Sequence, residues 1–207
     1  MGSKRKPERL PGNPVARSFR YFALAVTRPG IAFKKLESEE GFFPGFFLNA
    51  LKWVLCEFYV YYLYRTNQVF FIPPWVAIPA DSFRYWLLFY YIPYGIVFWI
   101  LVAGLVQTLS LVLGGRGSFT GTLNIVGIMI FTPFVFIDTI DALFIILNGG
   151  NWSVVFNSIT RTILVVWGTV LLTVGLRVMH RLSVIRAVAI SILVSVFGIF
   201  VNVIFVR

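Results

Sequence analysis

Apolar residues in this chain gather into five long runs, at roughly 45–64, 85–113, 122–147, 154–176 and 187–206, separated by short polar breaks. A helix rises about 1.5 Å per residue and needs about 20 residues to cross a ~30 Å hydrocarbon core, so every run can span a bilayer. No water is available at that depth, and each run must satisfy its own backbone, which selects helices. The runs do not alternate polar and apolar positions as barrel strands would. The pattern predicts an all-α integral membrane protein, a bundle of five transmembrane helices over 45–207.

A different pattern precedes the first run. Residues 1–13 are basic and contain prolines, which predicts a disordered tail. Asn13-Pro14 then reads as a helix start, with Asn as the cap and Pro in the first turn. Wound at about 100° per residue, Val15, Phe19, Phe22 and Val26 share one narrow face, with Arg17 and Arg20 opposite. Arg28-Pro29-Gly30 ends this helix, and Ile31 to Leu36 resume as a short second one carrying Lys34 and Lys35. Residues 14–44 therefore predict an amphipathic interfacial segment, with Arg17, Phe19, Arg20, Phe22, Arg28, Lys34 and Lys35 contacting the lipid surface. The alternative is that the segment packs against the bundle's own cytoplasmic face.

Several local signals refine the spans. Phe70-Phe71-Ile72-Pro73-Pro74-Trp75 is too short and Pro-rich to cross, and the tyrosines and Trp86 flanking it suit an interfacial belt. Pro93 with Gly95, and Pro133, predict bends in the second and third spans. Gly114-Gly115-Arg116-Gly117-Ser118-Phe119 reads as a hairpin turn, since neither a Walker lysine nor a Rossmann context accompanies its glycines. Ser191, Ser195, Gly198 and Asn202 form a small, polar stripe suited to close helix packing.

Charge adds an orientation. The 207 residues carry a formal +10, and nine of the 18 Lys and Arg lie in the first 44 residues. Placing the N-terminus in the cytoplasm puts those nine with Arg116, Arg177, Arg181 and Arg186, against Arg65, Arg84 and Arg207 outside, as the positive-inside rule requires. The C-terminus is then outside. Bases so distributed point to anionic headgroups and not to nucleic acid. Cys56 is the sole cysteine, which excludes an internal disulfide, and no Cys/His cluster is present to bind a metal. The first apolar run starts late and is long enough to span, unlike a cleaved signal peptide, and Lys6 departs from the myristoylation pattern. No cofactor is expected.

The order of short motifs is also informative. Thr27-Arg28-Pro29-Gly30-Ile31-Ala32-Phe33 leads to Gly41 and Pro44, then to the 114–119 turn with Thr122-Leu123 and Gly127. Gly175-Leu176-Arg177 and Leu182-Ser183-Val184-Ile185-Arg186-Ala187 close the series. This order resembles the Yip1 family of five-span membrane proteins, from about Phe19 onward. The resemblance implies no catalytic residues. Eukaryotic members are associated with traffic between endoplasmic reticulum and Golgi and with prenylated Rab GTPases. Their long acidic or Pro/Gly-rich N-terminal extension has no counterpart in this sequence, so a Rab-binding role is not carried over. The compact form is similar to bacterial or archaeal members, which implies a prokaryotic cell membrane.

Ionisable residues inside spans are costly and mark candidate sites. Glu57, Asp138, Asp141 and Arg161 fall at similar depth in the outer half of the bilayer, while Lys52 lies nearer the cytoplasm and is expected to snorkel towards it. Asp138 and Asp141 are one turn apart on one helix, and the only histidine, His180, follows Arg161 by 19 residues, or ~28 Å of helix. Neither an aspartyl dyad nor a Ser-His-Asp triad can be built from them, and His180 reads as a solvated loop residue. The expected function is non-catalytic: a membrane-organising or adaptor protein that engages lipid, a cytoplasmic partner or a further copy of itself. The alternative is a small transporter or ion-coupled permease. Three acids against one Arg would leave excess negative charge for a cation or proton, with Glu57 or one aspartate facing a polar cavity.

Overall fold

The computed structural model describes residues 10–65, 80–147 and 153–205. Among them the ordered elements are all helices: α1 Pro14–Thr27, α2 Pro29–Leu36, α3 Phe43–Arg65, α4 Ala80–Val112, α5 Phe119–Leu147, α6 Val154–Met179 and α7 Val184–Phe205. The aromatic segment around Phe70 to Trp75 lies outside the described residues.

Local chemistry accounts for the start. The Asn13 side chain accepts the Ala16 amide at 2.8 Å, satisfying one of the free N–H groups of the first turn, and Pro14 opens α1 without losing a bond. Arg28 precedes Pro29 and is excluded from helical geometry, so it separates α1 from α2. Leu10, from the segment expected to be disordered, packs against the core.

Four helices contain stretches long and apolar enough to cross a membrane: Phe89–Val112, Phe119–Ile145, Val155–Met179 and Val184–Phe205. The fifth expected span corresponds to α3, whose 23 residues are long enough. Lys52, Glu57 and Arg65 lower its apolarity, and it is not among the four.

Helix α5 is central, packed against α3, α4 and α6 and touched by α1 and α2. Its crossing with α3 brings backbone to backbone: a Cβ built on Gly45 would lie 2.5 Å from the Asn124 Cα, and one on Gly127 would strike the Gly45 carbonyl. The Asn124 side chain fills the same crossing, accepting the Gly45 amide at 2.8 Å and donating to the Gly41 carbonyl at 2.9 Å. Gly95 has a contact role as well, since a Cβ there would run into the Trp53 ring of α3. The small polar stripe of α7 faces its neighbours. Ser195 bonds Thr169 of α6 at 2.7 Å, and Asn202 accepts the Tyr94 hydroxyl of α4 at 3.3 Å.

Candidate functional site

Three polar groupings stand out in a largely apolar bundle. The first joins α3, α5 and α6. Arg161 of α6 forks between two carboxylates of α5, with Nη1 2.7 Å from Asp138 Oδ1 and Nη2 3.2 Å from Asp141 Oδ2. Asp138 and Asp141 are three apart, so a helix presents them on one side, where a planar guanidinium can reach both. Asn157, one turn before Arg161, donates to Asp141 Oδ2 at 3.4 Å. Asp141 is the most enclosed of the three, its side chain 7% exposed against 47% for Arg161. That difference explains why a second donor converges on it: a buried carboxylate needs more than one partner.

The fourth member differs from the expected one. Lys52 does not extend away from the group. Its Nζ sits over the Trp53 ring, 3.3 Å from the centroid, and 5.0 Å from that of Phe134, close enough to Asp138 and Arg161 to interact electrostatically. Glu57 stands apart, and its Oε2 is buried with no hydrogen-bond partner among the described residues. Helical phase explains the exchange. Lys52, Cys56 and Tyr59 are spaced by four and three and share the face turned to α5, while Glu57 is rotated by about 100° from Cys56. Both aspartates are engaged by Arg161.

The second grouping is the α1–α2 hairpin. Ser18, Tyr21 and Ala25 are buried against the bundle. Phe22 packs edge-on to Phe131 at 5.2 Å and stacks on Phe136 at 6.1 Å, both on α5. On α2, Ala32, Phe33 and Leu36 are buried. The docked stripe is thus rotated from the apolar stripe read in the sequence, and Val15 and Phe19 stay exposed at 40% and 44%. Phe19 also meets Phe47 of α3 edge-on at 5.6 Å. The expected lipid-facing residues divide accordingly. Arg28 and Lys34 are exposed, as is Arg20, whose guanidinium donates to the Pro11 carbonyl, while Lys35 is partly buried. Arg17 is turned inward beside Glu39, 3.5 Å away, where Tyr21 also donates its hydroxyl to Glu39 at 3.1 Å. Burial, together with Glu39, pushes the Tyr21 hydroxyl pKa well up, so it remains a donor.

The third grouping lies beneath the Gly-rich turn. His180 is closed off from solvent, contrary to its reading as a solvated residue. Its Nε2 is 2.8 Å from Thr122 Oγ1, and its ring lies where a Cβ on Gly117 would come within 2.7 Å. The glycines therefore serve close packing over an imidazole.

The apolar helices and their buried polar clasps define a polytopic helical membrane protein. The Yip1 domain matches residues 23–205, and the chain belongs to the Yip1 family. No curated protein and no solved structure matches it.

Proposed function

We propose that this chain is a non-catalytic membrane-organising or adaptor protein that works through its α1–α2 hairpin at the inner surface of a prokaryotic cell membrane. In this reading α3 is a fifth span, since 23 residues cover about 34 Å and its Lys52 lies over the Trp53 ring, within electrostatic reach of Asp138. The N-terminus is cytoplasmic, which gathers the bases of α1 and α2 with Arg116, Arg177, Arg181 and Arg186 at one membrane face.

The observation that carries the proposal is the division of α1 into two stripes. One stripe docks on the bundle, and the adjacent one leaves Val15 and Phe19 uncovered beside Arg20, with Arg28 and Lys34 also exposed on the hairpin. Apolar side chains flanked by exposed bases suit the boundary between anionic headgroups and acyl chains, where each base contributes about 1 kcal/mol. Arg161 engages both aspartates, which argues against the permease reading, since that reading needs an acid left free for a cation or proton. Lys52, and not Glu57, is the fourth residue near the aspartates.

Spin labels on single cysteines, in full-length protein reconstituted with anionic lipid and with Cys56 replaced, test the surface reading. Labels at Val15 and Phe19 should be reached by oxygen and shielded from a polar nickel reagent, and a label at Arg20 should show the opposite preference. Polar-reagent access at all three positions would place α1 clear of the lipid and end the proposal.

A further inference from the structure

His180 is the only histidine of the chain, and the hydrogen bonds around it determine its tautomer. Thr122 Oγ1 is 2.8 Å from His180 Nε2, 2.6 Å from Gln107 Oε1 and 3.1 Å from the Ser118 carbonyl. Gln107 Nε2 donates to the Gly117 carbonyl at 3.0 Å, and a carbonyl can only accept, so the amide cannot be turned over. Gln107 Oε1 is therefore an acceptor, and the single hydroxyl proton of Thr122 goes to it. His180 Nε2 must then donate to Thr122. The neutral ring carries its proton on Nε2, leaving Nδ1 as a bare lone pair, buried and without a partner.

The same residue ties three elements together. Its carbonyl accepts the Arg116 amide at 3.1 Å, and its ring lies against Gly117. Arg181, next in the chain, takes a left-handed conformation at φ +57° and reaches Glu37 at the end of α2, 3.2 Å away. The groups at the ring are uncharged: Gln107 of α4, Ser118 and Thr122 at the start of α5, and Gly117 of the turn. The nearby charges, Arg116, Arg177, Arg181, Arg186 and Glu37, belong to exposed residues. A proton on Nδ1 would thus create a buried cation and a donor with no acceptor.

We propose that His180 is a proton-operated lock at this end of the bundle. The neutral ring holds the 113–118 turn against the α6–α7 connection, and a proton on Nδ1 releases both and loosens the Arg181–Glu37 tie to α2. This lock does not depend on what α1 and α2 contact. Burial depresses the His180 pKa below its ordinary value. The sign follows. The stabilisation is complete above about pH 6.5, where the exposed ring is also neutral, and is lost as pH falls from there towards the folded value. Within that window each pH unit shifts the closed-to-open ratio by up to about tenfold.

The test uses the full chain in lipid nanodiscs, purified without a histidine tag and labelled with nitrogen-15 histidine, so that one ring gives the whole signal. At pH 7.5 the spectrum should be that of the Nε2–H tautomer, with a titration midpoint below about 6.5. Hydrogen exchange of the 113–118 turn, corrected for intrinsic rates, should rise by up to about tenfold per pH unit over the same window. His180→Gln, whose amide nitrogen can stand in for Nε2 without titrating, should leave that exchange independent of pH. An Nδ1–H tautomer, a midpoint at or above 6.5, or an equal pH response in His180→Gln would overturn the lock. If that variant does not fold, the wild-type tautomer, midpoint and exchange decide the matter alone.

Discussion

The Gly45 amide donates to the side-chain oxygen of Asn124 at 2.8 Å, across a crossing so close that neither Gly45 nor Gly127 has room for a side chain. Helix α3, the most polar of the long helices, is held to the bundle centre by this contact at one end and by the Lys52 region further along. Backbone approach and an interhelical amide are recognised means of association where lipid removes the hydrophobic drive between helices.

That crossing yields a graded series. Asn124→Leu leaves the Gly45 amide and Gly41 carbonyl without their partner and should cost about 1–3 kcal/mol. Gly127→Ala should cost more, because its methyl meets the Gly45 backbone, which cannot swing aside. Gly104→Ala is the control, with open space around the new Cβ, and should be neutral or slightly stabilising. Thermal unfolding in mild detergent, followed by circular dichroism, ranks the three. Equal midpoints for Gly104→Ala and Gly127→Ala would contradict the crossing.

Removing the guanidinium fork should be worse than removing an exposed base. Arg161→Leu removes the ion-pair partner of Asp138 and Asp141 and should destabilise the bundle by about 1–3 kcal/mol, with Arg116→Leu near zero. Combining Arg161→Leu with Asp138→Leu should recover part of the loss, since one unpaired carboxylate goes with it. Additive losses in the double variant, measured by denaturant titration, would mean that the pair contributes nothing as a pair.

Phe19 and Phe22 were equivalent on the helical wheel and should part company experimentally. Phe22→Ser removes a ring lodged beside Phe131 and Phe136 and should lower stability by about 1–3 kcal/mol. Phe19→Ser should cost less than about 1 kcal/mol in detergent, because its ring is nearly half exposed. The reverse order of melting temperatures would mean that the hairpin docks by its other face.

Orientation is open to direct chemistry. With buried Cys56 replaced by Ala, a cysteine at Ser118 should be protected from an impermeant thiol reagent added to intact cells, and one at Asn151 should be labelled. Labelling at Ser118 alone would invert the proposed topology.

Helix positions were readable because they depend on local properties. Run length and apolarity located α4 to α7 within a few residues, and Asn13-Pro14 marked the start of α1 by its capping chemistry. Run length also set Asp138, Asp141 and Arg161 at similar depth, and a three-residue spacing puts both acids on one side of α5, where Arg161 meets them. The tertiary structure decided what depends on rotation about a helix axis. It turned Lys52 and not Glu57 towards the aspartates, docked α1 by Tyr21 and Ala25 instead of by its most apolar stripe, and enclosed His180 beneath Gly117. A helix that is apolar on every side carries no phase signal of its own. Which residues meet is set by the shape of the neighbouring helices, by the glycines that let two backbones touch, and by the need of each buried charge to find its partner.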